Sequence, residues 1–447
     1  MRTPLVVGIL KETKGWEHRA PLVPSDVEWL NDRGVKVEVE RSARRVFNDR
    51  EYKKNGAVIV DRVKSASLLV GIKEPRVHDL HAGKVYMVFS HTAKGQAHNM
   101  PLLKTCLKKK ITLIDYEKIV DLYGARLVYF GRFAGVCGMV DSLHYLGKKL
   151  EWKNIDNPFS LIRPAYKYDS LQEIKKVLSK IGQLIHRKGL DTELSPFIIG
   201  ITGHGNVSRG VQELLESLKP VEIHPTNMLA FVRHQKKQGR RLYKIVFLRE
   251  EKFRSKDGRG FYFEDYLRHP KKFESNMDVY LPYLNILVHT AYWDNRYPRL
   301  VTEKMINTLS KKKPFRLEFI GDLSCDVKGS IEITHKTTTR ERPVYTYDPP
   351  AKKFVEGYKS EGVTVLAVDN LPAELPKDAS DHFSGLIRDY VYQIAVHGAK
   401  DITRHMAIPA EIRDAVITQG GRLTKNSSYL GKYISAFGVV STCCGVL

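Results

Sequence analysis

The segment SPFIIGITGHGNVSRGVQELLESL predicts a buried strand, a glycine turn and an amphipathic helix in immediate succession. In this context Gly203 permits a tight turn, and Gly205 lets the backbone approach a pyrophosphate held at the helix N-terminus. Asn206 and Val207 continue the turn, and Ser208 stands where a third glycine or alanine is usual. The segment therefore predicts a dinucleotide-binding site at these five residues, and a plain glycine turn is the alternative.

Short apolar runs alternate with helix-like stretches on both sides of this segment. Before residue 130 the runs are VVGIL, VKVEVE, VIV, LLVGI, MVFS and TLID; after residue 280 they are LNILVHT, FRLEFIGDLS and GVTVLAVDNLP. Such alternation is typical of an α/β fold. A length of 447 residues favours two domains. We therefore predict an α/β protein with two Rossmann-like domains and a catalytic cleft between them.

The stretch FGRFAGVCGMVDSLHYLGKKL is apolar on all sides, as expected of a helix that joins two domains. We assign residues 1–133 to a substrate domain, 134–375 to a dinucleotide-binding domain, and 376–447 to the return into the substrate domain and a tail. The nucleotide domain is thus inserted into a discontinuous substrate domain. Residues 225–276 are polar and basic with little periodicity, which indicates an insertion.

The net charge of +23 favours anionic ligands such as dicarboxylates and nucleotide phosphates. Basic runs at residues 108–110, 233–241 and 311–313 are compatible with a nucleic-acid surface. No nucleic-acid-binding motif accompanies them. We therefore expect a solvated basic face and no nucleic-acid partner.

The first apolar run is interrupted by Gly8 and is too short for a signal peptide or a membrane span. The five cysteines form no CxxC pair and no metal-ligand spacing. We expect free thiols, with Cys443 and Cys444 idle in the tail, no metal, no membrane association and a cytoplasmic location. A homo-oligomer is left open.

The side chain at the tip of the second strand of a Rossmann domain contacts the adenosine ribose. The predicted second strand, PVEI, ends beside Glu222, and we place His224 at its tip. A tip without a carboxylate does not repel a 2′-phosphate, and Arg233 and Lys236 are near enough in sequence to neutralise one. NADP(H) is therefore predicted, and NAD(H) bound by Glu222 is the alternative.

Charged residues follow the predicted strands of the N-terminal half, where α/β domains place ligand contacts. Each alone is the pattern of a solvated surface charge, but as a set around one crevice they predict a binding site. They are Arg19, Lys73, Glu74, His91, Lys94, Glu117 and Arg126.

The segments GILKETKGWEHRAPLVP, VGIKEP, FSHTAKGQ, ITLIDYE and FGRFAG resemble the substrate half of the alanine dehydrogenase and saccharopine dehydrogenase superfamily. ITGHGNVSRG, AYWDNRYPRLVT, GDLSCDVKGSIE, AVDNLPAELPKDASDHFSG and IRDAVIT resemble the lysine-2-oxoglutarate reductase region of the bifunctional aminoadipic semialdehyde synthases. The resemblance implies reductive condensation of L-lysine with 2-oxoglutarate to saccharopine through an imine, with NADPH, or the reverse. It also leads us to expect that the second activity of the bifunctional enzymes is absent.

The resemblance implies an acid/base pair in the substrate domain. Lys73 matches the group that takes the proton from the incoming amine, and His91 matches the group that shuttles protons to the carbinolamine oxygen; histidine titrates near neutrality. Glu74 and Glu117 match carboxylates that tune this pair.

The resemblance also implies substrate and cofactor contacts. Arg19 and Arg126 match guanidinium groups that hold carboxylates at two points, with Lys94 assisting, and Phe130 matches a residue beside the keto acid. Asp369 matches a substrate contact and Asp326 a cofactor contact near the nicotinamide. Alternatively, Asp369 caps the turn that follows it, and Asp322 is a strand-end residue without a catalytic part.

Two classes of alternative stay open. Among enzymes, they are an NAD-dependent, lysine-forming saccharopine dehydrogenase and an alanine dehydrogenase-like enzyme. Outside catalysis, the alternative is a dinucleotide- or nucleic-acid-binding regulator on the same fold, because fold alone does not determine function.

Overall fold

The computed structural model describes residues 6–234, 240–398 and 401–436. Lys236, Cys443 and Cys444, which carried predictions, lie outside these residues. Within the described ranges, no helix is long and apolar enough to cross a membrane, and no group of three His, Cys, Asp or Glu side chains is arranged to hold a metal ion. The chain divides into two compact units, which are Met1–Phe130 with Pro376–Leu447, and Gly131–Leu375.

Residues 6–130 of the first unit contain six strands and three α-helices. The strands are β1 (Val7–Ile9), β2 (Val37–Glu40), β3 (Val58–Val60), β4 (Leu68–Val70), β5 (Val85–Val88) and β6 (Thr112–Asp115). The helices are α1 (Pro24–Asn31), α2 (Asp49–Lys54) and α3 (Met100–Lys108).

The second unit holds ten strands and seven α-helices in its described residues. The helices are α4 (Gly131–Trp152), α5 (Leu171–Lys188), α6 (Asn206–Leu215), α7 (Met228–Arg233), α8 (Arg249–Lys252), α9 (Phe263–Arg268) and α10 (Glu303–Leu309). The strands are β7 (Phe197–Thr202), β8 (Val221–Glu222), β9 (Leu242–Phe247), β10 (Phe253–Ser255), β11 (Phe273–Ser275), β12 (Ile286–His289), β13 (Phe319–Asp322), β14 (Val344–Asp348), β15 (Lys353–Glu356) and β16 (Val363–Leu366).

The chain then returns to the first unit. The returning helices are α11 (Pro376–His397), α12 (Ala410–Asp414) and α13 (Gly431–Ala436). The returning strands are β17 (Val416–Gln419) and β18 (Arg422–Leu423), which form an antiparallel pair at the edge of the sheet beside β6.

The sheet of the first unit has the strand order β3-β2-β1-β4-β5-β6, all parallel, followed by β17 and β18. This is the doubly wound order of a Rossmann fold. Neighbouring residues of β4 face opposite sides: Leu68 and Val70 share a buried cluster with residues of α1 and α11, and Leu69 shares another with residues of α3. Because helices cover both faces, the strands are continuous apolar runs.

The sheet of the second unit has the parallel order β8-β9-β7-β12-β13-β16, with β14 and β15 antiparallel at the other edge. The prediction of two Rossmann-like α/β domains is confirmed.

The strand beside β7, however, is β9 and not the predicted PVEI strand. β8 has two residues with exposed side chains, whereas β9 pairs with β7 over six residues and is almost entirely buried. Residues 242–247 of the predicted insertion are thus a central strand.

Candidate active site

The charged residues of the first unit follow the carboxyl ends of its parallel strands. Lys73 and Glu74 come after β4, His91 after β5, and Glu117 after β6. Since β4, β5 and β6 are adjacent and parallel, these side chains emerge at one edge of the sheet.

His91 lies between two carboxylates. Its Nε2 is 3.9 Å from Oε2 of Glu74, and its Nδ1 is 3.8 Å from Oε2 of Glu117. The ring stacks on Phe89 at a centroid distance of 6.2 Å, and the backbone is left-handed with φ of 53°, which is uncommon outside glycine. The carbonyl of His91 accepts a hydrogen bond from Asn99 Nδ2 at 3.0 Å. The chain therefore orients a partly exposed imidazole with a carboxylate facing each nitrogen.

Glu117 is ionised across the physiological pH range. Burial opposes its ionisation, but the nearby His91, Arg126 and Lys94 lower the pKa of Glu117 to about 2. Nη2 of Arg126 donates to Oε1 of Glu117 at 2.9 Å, and Lys94 is exposed. On Glu74, burial also opposes ionisation, and the hydrogen bond from Lys14 lowers the pKa. The site thus holds two carboxylates beside one imidazole and several cations.

Arg19 and Phe130 are packed against each other in the first unit. Arg19 is 2% exposed and pairs with Glu17 through Nε to Oε1 at 2.7 Å and Nη2 to Oε2 at 2.5 Å. Its guanidinium lies 4.0 Å from the ring of Phe130, which stacks on Phe383 at 4.3 Å. The donor edge formed by Nε and Nη2 is therefore engaged by Glu17. Arg126 is the more accessible guanidinium, with 48% of its side chain exposed.

Sequence reasoning missed Glu12 and Glu17. Glu12 accepts the backbone N–H groups of Ile72 at 2.6 Å and Lys73 at 3.1 Å. Burial and the charge of Glu17 raise the pKa of Glu12 to about 7. Both glutamates follow β1, the same signal that identified the other candidates, but burial depends on tertiary packing. Glu12 fixes the backbone that carries Lys73, and Glu17 fixes Arg19.

The glycine turn of the second unit follows β7. Gly203 has φ of 103°, which L side chains rarely adopt, and its N–H donates to the carbonyl of Phe247 at 3.0 Å. A Cβ on Gly205 would meet nothing within 4 Å, so a ligand can approach this backbone. Asn206 and Val207 open helix α6.

The third glycine of the usual motif is displaced along the helix. Ser208 is buried and accepts a hydrogen bond from Gln212 Nε2 at 3.1 Å. The close approach of helices occurs at Gly210 instead, where a Cβ would overlap the carbonyl oxygen of Arg132 on α4. On the other side, a Cβ on Gly135 would overlap the carbonyl of Val207. These two glycines therefore allow α6 to pack closely against α4.

A cavity of about 350 Å³ adjoins the turn. Its lining includes Gly203 and Gly205, the start and end of α8, and residues that follow β12. Among the latter, Asp294 is paired with Arg296 through two hydrogen bonds of 2.9 and 2.7 Å. The cavity therefore lies at the tips of β7, β9 and β12, where a Rossmann fold binds its ligand.

His224 requires a correction. It follows the edge strand β8, separated from β7 by β9, and its Nδ1 lies 2.8 Å from Thr226 Oγ1. Glu222, the alternative ribose contact, pairs with Lys244 at 2.9 Å. Arg233 ends α7, which follows β8. The tip beside the glycine turn belongs to β9, because the longer and more apolar strand occupies the inner position.

Asp326 and Asp369 follow β13 and β16, two neighbouring parallel strands. The carbonyl of Asp326 accepts the N–H of Gly329 at 2.8 Å, and the N–H of Asp369 donates to the carbonyl of Thr338 at 3.3 Å. The N-cap of the short helix after Asp369 is Asn370, not Asp369. Asp322 is buried, and burial raises its pKa to about 6 although Thr334 and Ser324 donate to it.

Two family models match the chain and together cover more than half of it. They are the alanine dehydrogenase/PNT N-terminal domain over residues 8–137 and the alanine dehydrogenase/PNT C-terminal domain over residues 262–426. Among solved structures, an L-alanine dehydrogenase aligns with 97% of this chain and 99% of its own at a TM-score of 0.61 and 18% identity. A transhydrogenase from Sinorhizobium meliloti aligns with 94% of this chain and 98% of its own, with a TM-score of 0.56 and 15% identity. These structural likenesses concern the fold.

Curated relatives match along most of the chain. The alpha-aminoadipic semialdehyde synthase of Arabidopsis thaliana is 33% identical over 95% of this chain and 41% of its own length. The mitochondrial alpha-aminoadipic semialdehyde synthase of Mus musculus is 32% identical over 94% of this chain and 47% of its own length. The NAD(+), L-lysine-forming saccharopine dehydrogenase of Emericella nidulans is 26% identical over 86% of this chain and 90% of its own length.

The chain thus spans less than half the length of the two synthases it matches. The resemblance to the aminoadipic semialdehyde synthases, noted from the motifs, is confirmed by these matches. Both parts of the first unit, and residues 131–137 and 262–375 of the second unit, fall within the matched regions. The chain belongs to the alanine dehydrogenase/PNT family.

Proposed function

We propose that this protein reductively condenses L-lysine with 2-oxoglutarate to give saccharopine, with NADPH as reductant, or catalyses the reverse reaction. The observation that carries the proposal is His91, whose two ring nitrogens face Glu74 and Glu117 at one edge of the sheet. The names of the relatives point to the same chemistry, since they are aminoadipic semialdehyde synthases and lysine-forming saccharopine dehydrogenases.

Imine formation needs a base and an acid. The lysine ammonium loses a proton to Lys73, and the free amine attacks the keto carbon; the proton that the attacking nitrogen then releases goes to the keto oxygen and gives the carbinolamine. His91 donates a second proton to the carbinolamine hydroxyl, which leaves as water from a protonated imine. Glu74 and Glu117 hold the His91 ring in place for this proton transfer. When bound, the reduced nicotinamide supplies the hydride that converts the imine to the secondary amine of saccharopine.

Arg126 is the main candidate for binding a substrate carboxylate, because 48% of its side chain is exposed although it also pairs with Glu117. A planar guanidinium holds a carboxylate at two points. Lys94 adds an exposed cation near the same place. The role of Arg19 as a second anchor stays a prediction, since Glu17 already engages two of its donors. Phe130 is proposed to pack beside the keto acid, and Asp369 to contact the substrate.

The nucleotide is held by the glycine turn of the second unit, with Gly203, Gly205, Asn206, Val207 and Ser208 next to the pyrophosphate, and Asp326 is proposed on the nicotinamide side. NADPH is our choice because the net charge of +23 favours the nucleotide that carries the additional 2′-phosphate. NADH is the second candidate, because the name of the Emericella nidulans relative specifies NAD(+).

The test uses the purified full chain. NADPH oxidation is followed with L-lysine and 2-oxoglutarate present, with each omitted in turn, and with pyruvate and ammonia in their place. We expect oxidation only when both proposed substrates are present, with saccharopine detected by mass spectrometry. Oxidation with pyruvate and ammonia alone would instead assign the protein to alanine dehydrogenase chemistry. No oxidation under any condition, with NADPH or NADH, while nucleotide binding persists, would favour a regulator.

A further inference from the structure

The strand beside the glycine turn is followed by a short helix that begins and ends with a cation and carries two glutamates, Glu250 and Glu251, between them. β9 pairs with β7 from Leu242 to Phe247, and the one-turn helix α8 begins two residues after Phe247 with Arg249 and ends with Lys252. In a Rossmann domain the residue after this inner strand contacts the adenosine ribose, and a carboxylate there binds the 2′-hydroxyl. Here the first charged residue is an arginine.

Lys252 is a buried cation without a counter-ion. It is 5% exposed and lines the cavity next to Gly203 and Gly205. Among the described residues, its ammonium has neither a hydrogen-bond acceptor nor an ion-pair partner. Burial, reinforced by the charge of Arg249, lowers the pKa of Lys252 to about 8. Burying an unpaired charge is unfavourable, so an anion in the cavity would satisfy it.

Arg249 stands three residues before Lys252, on the same face of one helical turn. Its guanidinium lies 4.8 Å from the centroid of the Phe263 ring, and the described residues provide it with no carboxylate partner. Arg249 lines the same cavity. The other cation of the lining, Arg296, is already neutralised by Asp294. The cavity therefore presents two positive charges that form no ion pair among the described residues, although Glu250 and Glu251 are close enough to act on Lys252.

A second buried nitrogen has no partner in this cavity. His289, at the end of β12, is 2% exposed and uses Nδ1 on Thr202 Oγ1 at 2.7 Å, while its Nε2 is buried without a partner among the described residues. The wall next to these groups is aromatic, with Tyr266 stacked on Tyr297 at 5.1 Å. Cations beside an aromatic wall suit a phosphate attached to a nucleoside.

We propose that Arg249 and Lys252 bind the 2′-phosphate of NADP(H) and so determine the nucleotide preference. The inference rests on the proposed function only in that the ligand is a nicotinamide dinucleotide. The ribose contact thus follows β9 instead of β8. The charges of the two cations together equal the charge of one phosphate dianion.

The test measures binding without either organic substrate. Dissociation constants for NADPH, NADH, adenosine 2′,5′-bisphosphate and 5′-AMP are determined by calorimetry for the wild-type protein and for Arg249→Gln, Lys252→Met and the double variant. Arg233→Gln is the matched control, because Arg233 is an exposed basic residue of the same unit that ends α7 and does not line the cavity. Circular dichroism checks the fold of each variant, and Lys252→Arg tests whether charge alone suffices.

Each single variant should weaken NADPH and the bisphosphate by about tenfold to a hundredfold, the usual effect of losing a charged hydrogen bond. NADH and 5′-AMP should change less than about threefold, and Lys252→Arg should keep the preference. Equal weakening of the ligands with and without a 2′-phosphate, or a selective effect of Arg233→Gln, would overturn the inference. The inference would also be overturned if the wild-type protein bound NADH as tightly as NADPH. The proposed condensation could then still be assayed with NADH, so the two failures are distinguishable. If Lys252→Met does not fold, Arg249→Gln decides.

Discussion

The backbone N–H of Gly203 donates to the carbonyl oxygen of Phe247 at 3.0 Å. This bond sets the end of β9 against the glycine turn, and Arg249 follows two residues later. The proposed contact with the adenosine ribose therefore falls on the segment that carries Arg249 and Lys252, whereas His224 follows the edge strand β8, beyond β9.

The affinity for NADPH should depend on pH through Lys252, whose pKa is lowered to about 8 by burial and by Arg249, against the weaker effects of Glu251 and Glu250. The ammonium loses its charge as pH rises through that value, so the phosphate loses a partner. Burial lowers the pKa of His289 to about 3, so it stays neutral in this range. We expect kcat/KM for NADPH to fall as pH rises above 8 and to level off about tenfold to a hundredfold lower, the loss expected for removing this charge.

The same measurement with NADH is the internal control, because NADH carries no 2′-phosphate and should not follow this titration. Lys252→Arg should remove the decline, since arginine stays charged. A parallel decline for both nucleotides would place the titrating group elsewhere.

Replacing His91 should slow the chemistry and spare nucleotide binding. We expect His91→Ala to reduce kcat by roughly 10² to 10⁴, the usual contribution of a general acid or base. Steady-state rates and NADPH fluorescence titration measure the two effects. His98→Ala, an exposed histidine seven residues later, is the control and should keep the wild-type rate. Unchanged turnover in His91→Ala would remove His91 from the mechanism.

Arg126→Lys should raise the KM for 2-oxoglutarate by about tenfold and change kcat little, because a two-point contact becomes a point charge. The KM for lysine should stay within twofold, as measured by steady-state kinetics with the other substrate saturating. A rise confined to lysine would instead assign Arg126 to the amino-acid substrate.

The packing of α6 against α4 can be tested at Gly210. A Cβ there would overlap the carbonyl oxygen of Arg132, so we expect Gly210→Ala to lower the free energy of unfolding by about 1–3 kcal/mol or more. Gly385→Ala is the control, because Gly385 lies in α11 with nothing within 4 Å of the added methyl group; it should be stabilising by about 0.4–1 kcal/mol. Urea denaturation measures both. Equal effects at the two positions would contradict the close approach of α6 and α4.

Local pattern predicts the strands, the glycine turn and the polarity of their ends, because each depends on nearby residues. The proximity of Glu74, His91 and Glu117 follows from parallel order, which alternation of strands and helices indicates. The position of β9 could not be predicted in this way. Which strand lies beside β7 depends on the apolar area and hydrogen bonds that each candidate contributes across the sheet.

The same limit explains Glu17 and Lys252. Sequence alone presents both as ordinary charged residues, one in a loop and one in a basic stretch. Their burial arises from packing against distant segments, and burial is what makes Glu17 a fixed partner of Arg19 and Lys252 an unpaired cation.

The most direct test of imine reduction is transfer of deuterium. The protein is incubated with L-lysine, 2-oxoglutarate and NADPH deuterated at C4 of the nicotinamide, on either face in separate reactions, and the product is analysed by mass spectrometry. We predict saccharopine one mass unit heavier with one of the two labelled forms, with the deuterium on the carbon derived from the keto group. Saccharopine without deuterium from either form, or no saccharopine while pyruvate and ammonia yield deuterated alanine, would contradict the account.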